Sequence, residues 1–212
     1  MNMWLEIIFS SVAFSGLFIY HVHLFYKVRR DPLSTSIGIT NNLRREWIQN
    51  VMAEKLDILA VQTLRNWIMA ASLLASTAIL ITLGAVNIAI WPDRMSALSH
   101  ALNLVGSKNE TLWLFKILLL IVDFFFAFFN FTLAIRYFNH VNFGINVPEK
   151  EGSPANHDFM TEVINRGSLH YTMGMRGYYL AIPFALWLFG PTWFLSGTVF
   201  LIWVLFKLDR TV

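Results

Sequence analysis

Two long stretches of the chain carry no charged side chain. Residues 67–91 and 178–206 run for 25 and 29 residues without Asp, Glu, Lys or Arg. A helix of about 20 apolar residues already crosses the hydrocarbon core of a bilayer. Only 14% of the residues are charged, whereas about a quarter of a soluble domain is charged. The sequence therefore predicts an integral membrane protein. It excludes a soluble enzyme and a nucleic-acid-binding protein, in spite of the net charge of +3.

Four membrane spans can be placed along the sequence. They cover about residues 4–26, 58–91, 112–137 and 178–206, and cytoplasmic loops occupy 27–57 and 138–177. The spans show no alternation of period two, and a small barrel needs about eight strands, so we expect helices. The predicted fold class is an all-α integral membrane protein with four transmembrane helices and short amphipathic cytoplasmic helices. We expect one membrane domain over residues 1–212.

The first span begins at Trp4, without a basic leader or a small-residue cleavage site. We therefore expect it to be kept as a membrane span and not removed as a signal peptide.

Basic residues are divided unevenly between the two sides of the predicted bundle. The two long loops, together with Arg136 at the end of the third span, hold ten Lys and Arg residues, whereas the other side holds only Arg94, Lys108, Lys207 and Arg210. The positive-inside rule then places both loops in the cytoplasm and both termini outside the plasma (cytoplasmic) membrane.

The first cytoplasmic loop contains an amphipathic pattern. Leu43, Trp47 and Val51 recur every four residues, and Arg44 and Arg45 lie on the other side. A helix of this kind is suited to binding the surface of anionic lipid, so Arg44, Arg45 and Trp47 are candidate lipid-surface residues.

The second cytoplasmic loop contains another helical pattern. We expect a helix to begin at residues 153–154, a Ser-Pro pair, and to end at Gly167. Phe159, Val163 and Ile164 would form its apolar stripe.

The third span contains two ionisable residues, Lys116 and Asp123, and Asn130 and Tyr137 continue their seven-residue spacing. Residues seven apart lie almost two helical turns apart, so the four residues share one face. An ionisable group in the hydrocarbon region costs about 2.5–3.5 kcal/mol. The four residues are therefore candidates for the lining of a polar pathway. Alternatively, Lys116 extends to the membrane surface, and Asp123 bonds a polar group of another span.

The second span has small residues at four-residue spacing, such as Ala71 and Ala75. Small residues let helix backbones approach closely, so we expect a helix–helix contact here. At the cytoplasmic end of this span, Gln62, Arg65 and Asn66 form a polar cluster. Arg65 lies either at the headgroup boundary or at the mouth of a pore.

The fourth span contains Pro183 and Pro191, and Gly190 precedes the second proline. Proline removes a backbone donor and clashes with the preceding turn, so we expect a kink or break at Gly190 and Pro191.

The segment 59–77, and especially residues 60–66 (Ala-Val-Gln-Thr-Leu-Arg-Asn), resembles the signature of a membrane-protein family catalogued as domain of unknown function 599. Further matches follow in order along nearly the whole chain. The resemblance implies a four-span membrane protein and no particular activity. The family pattern draws attention to seven positions, which are Gln62, Arg65, Asn66, Arg136, Asn139, Arg176 and Pro191. All of these except Pro191 are candidates for the cytoplasmic mouth of a pathway.

The leading functional hypothesis is an oligomeric ion channel or small-solute transporter with a polar path lined by the third span. A four-helix unit has little room for a path of its own, so we expect a homo-oligomer in the lipid bilayer that conducts small ions. Acidic rings favour cations and basic rings favour anions, so the selectivity stays open. The pathway hypothesis fails if the polar face contacts lipid or forms ion pairs only within one subunit.

Two alternatives remain. One is a scaffold that transports nothing and binds anionic lipid or a partner through its basic loops. The other is an enzyme acting on lipid, which requires His21, His140 and Asp57 to meet in a cavity. The sequence contains no recognisable catalytic, nucleotide-binding or metal-binding motif, so we expect no enzyme activity, no cofactor and no metal.

Overall fold

The computed structural model describes residues 3–102, 109–147 and 156–210. Within these ranges the chain forms seven α-helices, one short 3-10 turn at Pro32–Ser34 and no strand. The helices are α1 (Met3–Arg30), α2 (Ser36–Glu54), α3 (Asp57–Ala89), α4 (Pro92–Leu102), α5 (Glu110–Gly144), α6 (His157–Trp187) and α7 (Pro191–Leu208).

Four of the described helices, α1, α3, α5 and α7, are long and apolar enough to cross a membrane. This confirms the predicted fold class, an all-α membrane protein with four such helices and additional short helices. The helix α6 is also long, with 31 residues, but it carries more polar and charged side chains.

The helix α5 lies at the centre of the bundle and runs antiparallel to α3. The ring of Trp67 meets that of Phe138 at one end of this pair, with centroids 5.3 Å apart. At the other end, Ala89 packs against the cluster around Trp113. Between these points, small buried residues of α3 form one cluster with α5, as the sequence predicts for a helix–helix contact. They are Ala71, Ala75 and Ala78.

Three glycines of α6 bring its backbone close to α5. A Cβ atom at any of them would lie 2.8–3.0 Å from a side-chain atom of α5, so larger residues do not fit without movement. The facing pairs are Gly167 with Phe138, Gly174 with Phe131, and Gly177 with Ala127. Because the numbers rise along α6 as they fall along α5, the two helices are antiparallel.

The helix α7 folds back along α6. Trp187, the last residue of α6, stacks on Phe194 of α7 with ring centroids 4.7 Å apart. Gly190 has φ 140°, a conformation that suits glycine, and Pro191 is the first residue of α7. The predicted break at Gly190 and Pro191 is therefore present. The prediction of one helix over 178–206 is wrong, because the break turns the chain back on itself.

The helix α1 runs parallel to α7 and antiparallel to α6. Near its start, Glu6 meets the beginning of α5, and near its end Tyr20 meets Asp209, which follows α7. The start of α1 and the end of α7 consequently lie at opposite ends of the bundle. The four-span prediction places both termini on one side of the membrane, and this orientation stays a prediction. We refer below to the Glu6 end and the α2 end of the bundle.

The predicted loop 27–57 contains α2, which packs on the bundle itself. Ile48 and Val51 are buried with residues of α5 and α6, whereas Leu43 is 55% exposed. The predicted amphipathic helix is thus present. Its apolar face packs against α3, α5 and α6 of the same chain.

The predicted loop 138–177 is largely helical. Asn156 caps the start of α6, because its side-chain oxygen accepts a hydrogen bond from the Phe159 N–H at 2.8 Å. The helix start predicted at 153–154 lies outside the described residues. The predicted end at Gly167 is wrong, because this glycine packs against α5 and the helix continues to Trp187.

Replacing Gly174 by alanine tests the close packing of α5 and α6. We expect Gly174→Ala to lower the free energy of unfolding by about 1–3 kcal/mol, because the new methyl group would overlap the Phe131 ring. The matched control is Gly84→Ala on α3, where no atom lies within 4 Å of the added carbon. Alanine favours helices more than glycine does, so this control should be neutral or more stable. Reversible unfolding in detergent measures both, and equal stability of the two variants would contradict the packing.

Candidate functional site

The predicted polar stripe occupies one face of α5, and we call it the polar face. Lys116, Asp123 and Asn130 are 1%, 8% and 8% exposed, and Tyr137 is half-buried. The structure therefore brings all four predicted residues onto one enclosed face. This face contacts α1 through Lys116 and α6 through Asn130.

At the Glu6 end, the polar face begins with a buried ion pair. The Lys116 Nζ donates a hydrogen bond to Oε1 of Glu6 at 2.6 Å, and the two side chains are 0% and 3% exposed. The same Nζ lies 5.2 Å from the centre of the Trp187 ring. Lys116 is thus paired with a carboxylate of the same chain, and its ammonium group is buried. The pair lies within one chain, so the condition stated against the pathway is met at Lys116. It is not met at Asp123, which forms no ion pair with any residue that the structure describes.

Sequence reasoning did not identify Glu6 as the partner of Lys116. The sequence did contain a usable signal. Glu6 is the only charged residue of the first predicted span, and Lys116 lies near the start of the third. Opposite charges at similar depth in two spans indicate a pair.

The carboxylate of Asp123 lies further along the polar face. Its Oδ2 is buried and has no hydrogen-bond partner among the residues that the structure describes. At 1.5 Å of rise per residue, Asp123 lies about 10 Å along the helix axis from Lys116 and about 10 Å from Asn130. A buried polar atom without a partner costs about 1–3 kcal/mol, and more when the group is charged. The burial of the Asp123 carboxylate therefore lowers the stability of the fold.

Towards the α2 end, the polar face continues into a contact with α6. The Asn130 Nδ2 donates to the Phe126 carbonyl at 2.9 Å, so its Oδ1 is left to accept from Nδ1–H of His170, 3.0 Å away. The His170 ring also stacks on the ring of Tyr137, with centroids 5.5 Å apart. His170 was not identified from the sequence, because nothing in its neighbourhood distinguishes it from a surface histidine.

A second ion cluster joins α1, α6 and α7. The Arg176 Nη2 donates to both carboxylate oxygens of Asp209, at 2.7 and 2.9 Å, and the Tyr20 hydroxyl donates to Oδ2 of the same carboxylate. The backbone N–H of Ser36 donates to the Asp209 carbonyl at 3.3 Å, which links the start of α2 to this cluster. Arg176 is thus a buried partner of Asp209.

The six residues predicted for a cytoplasmic mouth do not come together. No hydrogen bond or ion pair joins any two of them in the described part of the chain. Five lie on exposed surfaces of two helices, and Arg176 is buried in the cluster with Asp209. The exposed residues are Gln62, Arg65 and Asn66 on α3, and Arg136 and Asn139 on α5.

The three residues predicted to contact a lipid surface, Arg44, Arg45 and Trp47, all lie on α2 but differ in exposure. Arg45 is exposed and forms an ion pair with Asp158 of α6 at 3.1 Å. Arg44 is half-buried and bonds Asn165, and Trp47 is also half-buried.

The residues proposed for a lipid-acting enzyme have separate neighbours. The Nδ1 of His21 bonds the Leu17 carbonyl within α1, and Asp57 is exposed at the start of α3. His140 lines a groove with residues of α5 and α6, and neither of the other two lines it.

Both ends of the polar face adjoin open cavities. At the Glu6 end, a cavity of about 390 Å³ is lined by Glu6, Ser10 and Trp187, among others. At the other end, a groove of about 470 Å³ is lined by Tyr137 together with basic side chains of α5 and α6. The buried polar face therefore leads from a cavity at one end of the bundle to a groove at the other.

A family model described as "Protein of unknown function, DUF599" matches residues 8–212, which is essentially the whole chain. This confirms the resemblance seen in the sequence. No curated protein and no solved structure matches the chain.

Removing one partner of the Glu6–Lys116 pair should destabilise the protein strongly. We expect Lys116→Met to lower the free energy of unfolding by about 3–5 kcal/mol, because the Glu6 carboxylate loses its ammonium partner inside the bundle. The double variant Glu6→Gln with Lys116→Met should recover most of this loss. Unfolding in detergent measures each variant.

The exposed pair of Arg45 and Asp158 provides the control. Arg45→Met should cost less than about 1 kcal/mol, because water screens this pair. If Lys116→Met were as mild as Arg45→Met, the buried pair would not hold α1 to α5.

Proposed function

The chain belongs to the family described as a protein of unknown function, DUF599, and since that description names no activity, we propose from the geometry of the buried charges that the protein is a transporter of small cations, protons included. The proposed path follows the polar face of α5, between α5, α1 and α6. It lies inside one chain, so the predicted homo-oligomer is a separate prediction.

The observation that carries this proposal is the buried Asp123 carboxylate, whose Oδ2 has no hydrogen-bond partner in residues 3–102, 109–147 and 156–210. Ionisable residues inside membrane spans are rare and expensive, and they mark ion pathways and proton relays. The strongly buried carboxylate beside the polar face, Glu6 of α1, is held by Lys116. Asp123 is thus the group that a proton or a small cation would bind.

The two cavities support a path that can be reached from both ends. Glu6 lines the first cavity and Tyr137 lines the second, and both residues adjoin the polar face. Asp123 lies between these cavities, about two helical turns along α5 from Lys116 and about two turns from Asn130.

The closed geometry favours a transporter over an open channel. The Glu6–Lys116 pair and the Trp187 ring fill the path near one end. The contact between Asn130 and His170 fills it towards the other. Access would therefore alternate between the two ends as these contacts open in turn.

We propose that five helices cross the membrane, namely α1, α3, α5, α6 and α7. The helix α6 follows α5 from Gly167 to Gly177 and reaches the Glu6 end at Trp187. This topology places the N-terminus outside and the α2 end in the cytoplasm. Lys207 and Arg210 then join the basic residues of the cytoplasmic side, which makes the charge distribution more one-sided than the four-span arrangement does.

A carboxylate at the binding position indicates the charge of the solute. Acidic groups in a pathway attract cations, and basic groups attract anions. The Lys116 ammonium is already neutralised by Glu6, so Asp123 determines the local charge.

The variant Asp123→Asn tests the proposal by separating transport from stability. We expect it to lower cation flux into liposomes at least about tenfold, the effect of losing one charged interaction of about 1.4 kcal/mol. It should also unfold at a higher temperature than the wild type, since it no longer buries a carboxylate without a partner. Flux is measured with purified protein under gradients of H⁺, Na⁺ and K⁺.

Asp158→Asn is the matched control, because this carboxylate is exposed near the start of α6. Its flux should equal that of the wild type. Equal flux in Asp123→Asn would remove Asp123 from the path. A folded wild type that moves none of these cations would favour the scaffold that transports nothing.

A further inference from the structure

A cationic side chain of α2 is held in the interior of the α2 end without a counter-ion. Arg44 is half-buried, and its Nη1 donates to the side-chain oxygens of Asn41 at 2.6 Å and Asn165 at 2.9 Å. Both acceptors are neutral, and no carboxylate pairs with Arg44 within residues 3–102, 109–147 and 156–210. Burial removes part of its hydration and lowers the pKa of Arg44 below its ordinary value.

Arg44 lies between two cavities of different character. The first, which we call the polar cavity, has a volume of about 390 Å³. Its polar lining includes Arg44, Glu162, Asn165 and Arg166, and apolar side chains such as Leu169 form the rest of its wall. The second is an apolar cavity of about 370 Å³ between α2 and α3. Its walls are mainly Leu43, Trp47, Leu64, Trp67 and Ile164, and Arg44 borders this cavity too.

We propose that this pair of cavities binds one anionic phospholipid, with its phosphate beside Arg44 and one acyl chain between Trp47 and Trp67. A guanidinium forms strong, directional hydrogen bonds with phosphate oxygens. An occupant of this chemistry would supply the negative charge that Arg44 lacks.

The charges around the site favour an anion. Arg166 also lines the polar cavity, and its guanidinium is paired with Glu162 one turn earlier on α6. That pair is neutral overall, so Arg44 leaves a net positive charge. Basic pockets between membrane helices on the cytoplasmic side are known binding sites for anionic headgroups.

The apolar cavity favours a lipid over a free anion. It is lined mostly by aliphatic and indole side chains, and its volume lies within the range of about 300–1,000 Å³ typical of small-molecule sites. Indole rings prefer the boundary between headgroups and acyl chains. A soluble phosphate would fill the polar cavity alone and leave this surface uncovered.

The test measures lipid retained by the full-length chain taken from nanodiscs that contain equal parts of phosphatidylglycerol and phosphatidylcholine. Native mass spectrometry counts the lipids bound to wild type, Arg44→Gln and Arg45→Gln. Arg45 is the matched control, because it is the next residue of α2 but is exposed and paired with Asp158. We expect wild type and Arg45→Gln to retain phosphatidylglycerol, and Arg44→Gln to bind it roughly tenfold more weakly or worse.

A second variant leaves the Arg44 hydrogen bonds intact. Thr63 lines only the apolar one of these two cavities, so Thr63→Trp should fill the chain-binding space and reduce retention without changing any charge. This variant keeps the test decisive if Arg44→Gln fails to fold. A third arm adds inorganic phosphate to the wild type, where we expect little competition with the lipid.

Three results would overturn the proposal. In the first, folded Arg44→Gln and Arg45→Gln retain phosphatidylglycerol equally. In the second, the wild type retains phosphatidylcholine as well as phosphatidylglycerol. In the third, inorganic phosphate displaces the lipid or Thr63→Trp has no effect, which would indicate a soluble anion.

Discussion

A charged side chain in the hydrocarbon region has to find its partner within the protein, because lipid offers none. In this bundle that constraint decides where α1 lies. Near one end of α1, Glu6 meets Lys116 of α5, and near the other Tyr20 meets Asp209, which is also held by Arg176 of α6. Much of the remaining surface of α1 is exposed. The two clusters therefore hold a peripheral helix in register with the rest of the bundle.

The packing divides the helices into two groups. Glycines and alanines bring α3, α5 and α6 into close contact, and such contacts have little freedom to move. The helices α1 and α7 pack on each other and join this group through aromatic rings and the two ion clusters. At the Glu6 end the polar face of α5 lies where the groups meet, through Lys116 and Glu6, whereas at Asn130 it contacts α6 of its own group. A transport cycle of the proposed kind would part the two groups at the Glu6 end, and at the other end it would need only the side chains of Asn130 and His170 to separate.

The sequence was sufficient to predict the helical membrane fold and the polar face, because a charge such as Lys116 or Asp123 inside an apolar run is rare. It was not sufficient to predict the partners, since pairing depends on how the helices pack in three dimensions. Glu6 was therefore left without a role, and Asp209 was placed across the membrane from its partner. The pairing of Arg176 with Asp209 was missed because the charged first half of α6, with Asp158, Glu162 and Arg166, lowers its hydropathy. For the same reason Gly167 resembled a helix end, although it is a packing contact.

The central claim is that the polar face links the two sides of the membrane, which requires α6 to cross it. The chain contains no cysteine, so single cysteines are unique reporters of sidedness. We would label Asp57→Cys, Asp93→Cys and Arg210→Cys in intact cells with a membrane-impermeant maleimide. The account predicts that Asp93→Cys is labelled, and that Asp57→Cys and Arg210→Cys are labelled only after permeabilisation. Labelling of Arg210→Cys together with Asp93→Cys in intact cells would contradict it, because α7 would then end on the outer side.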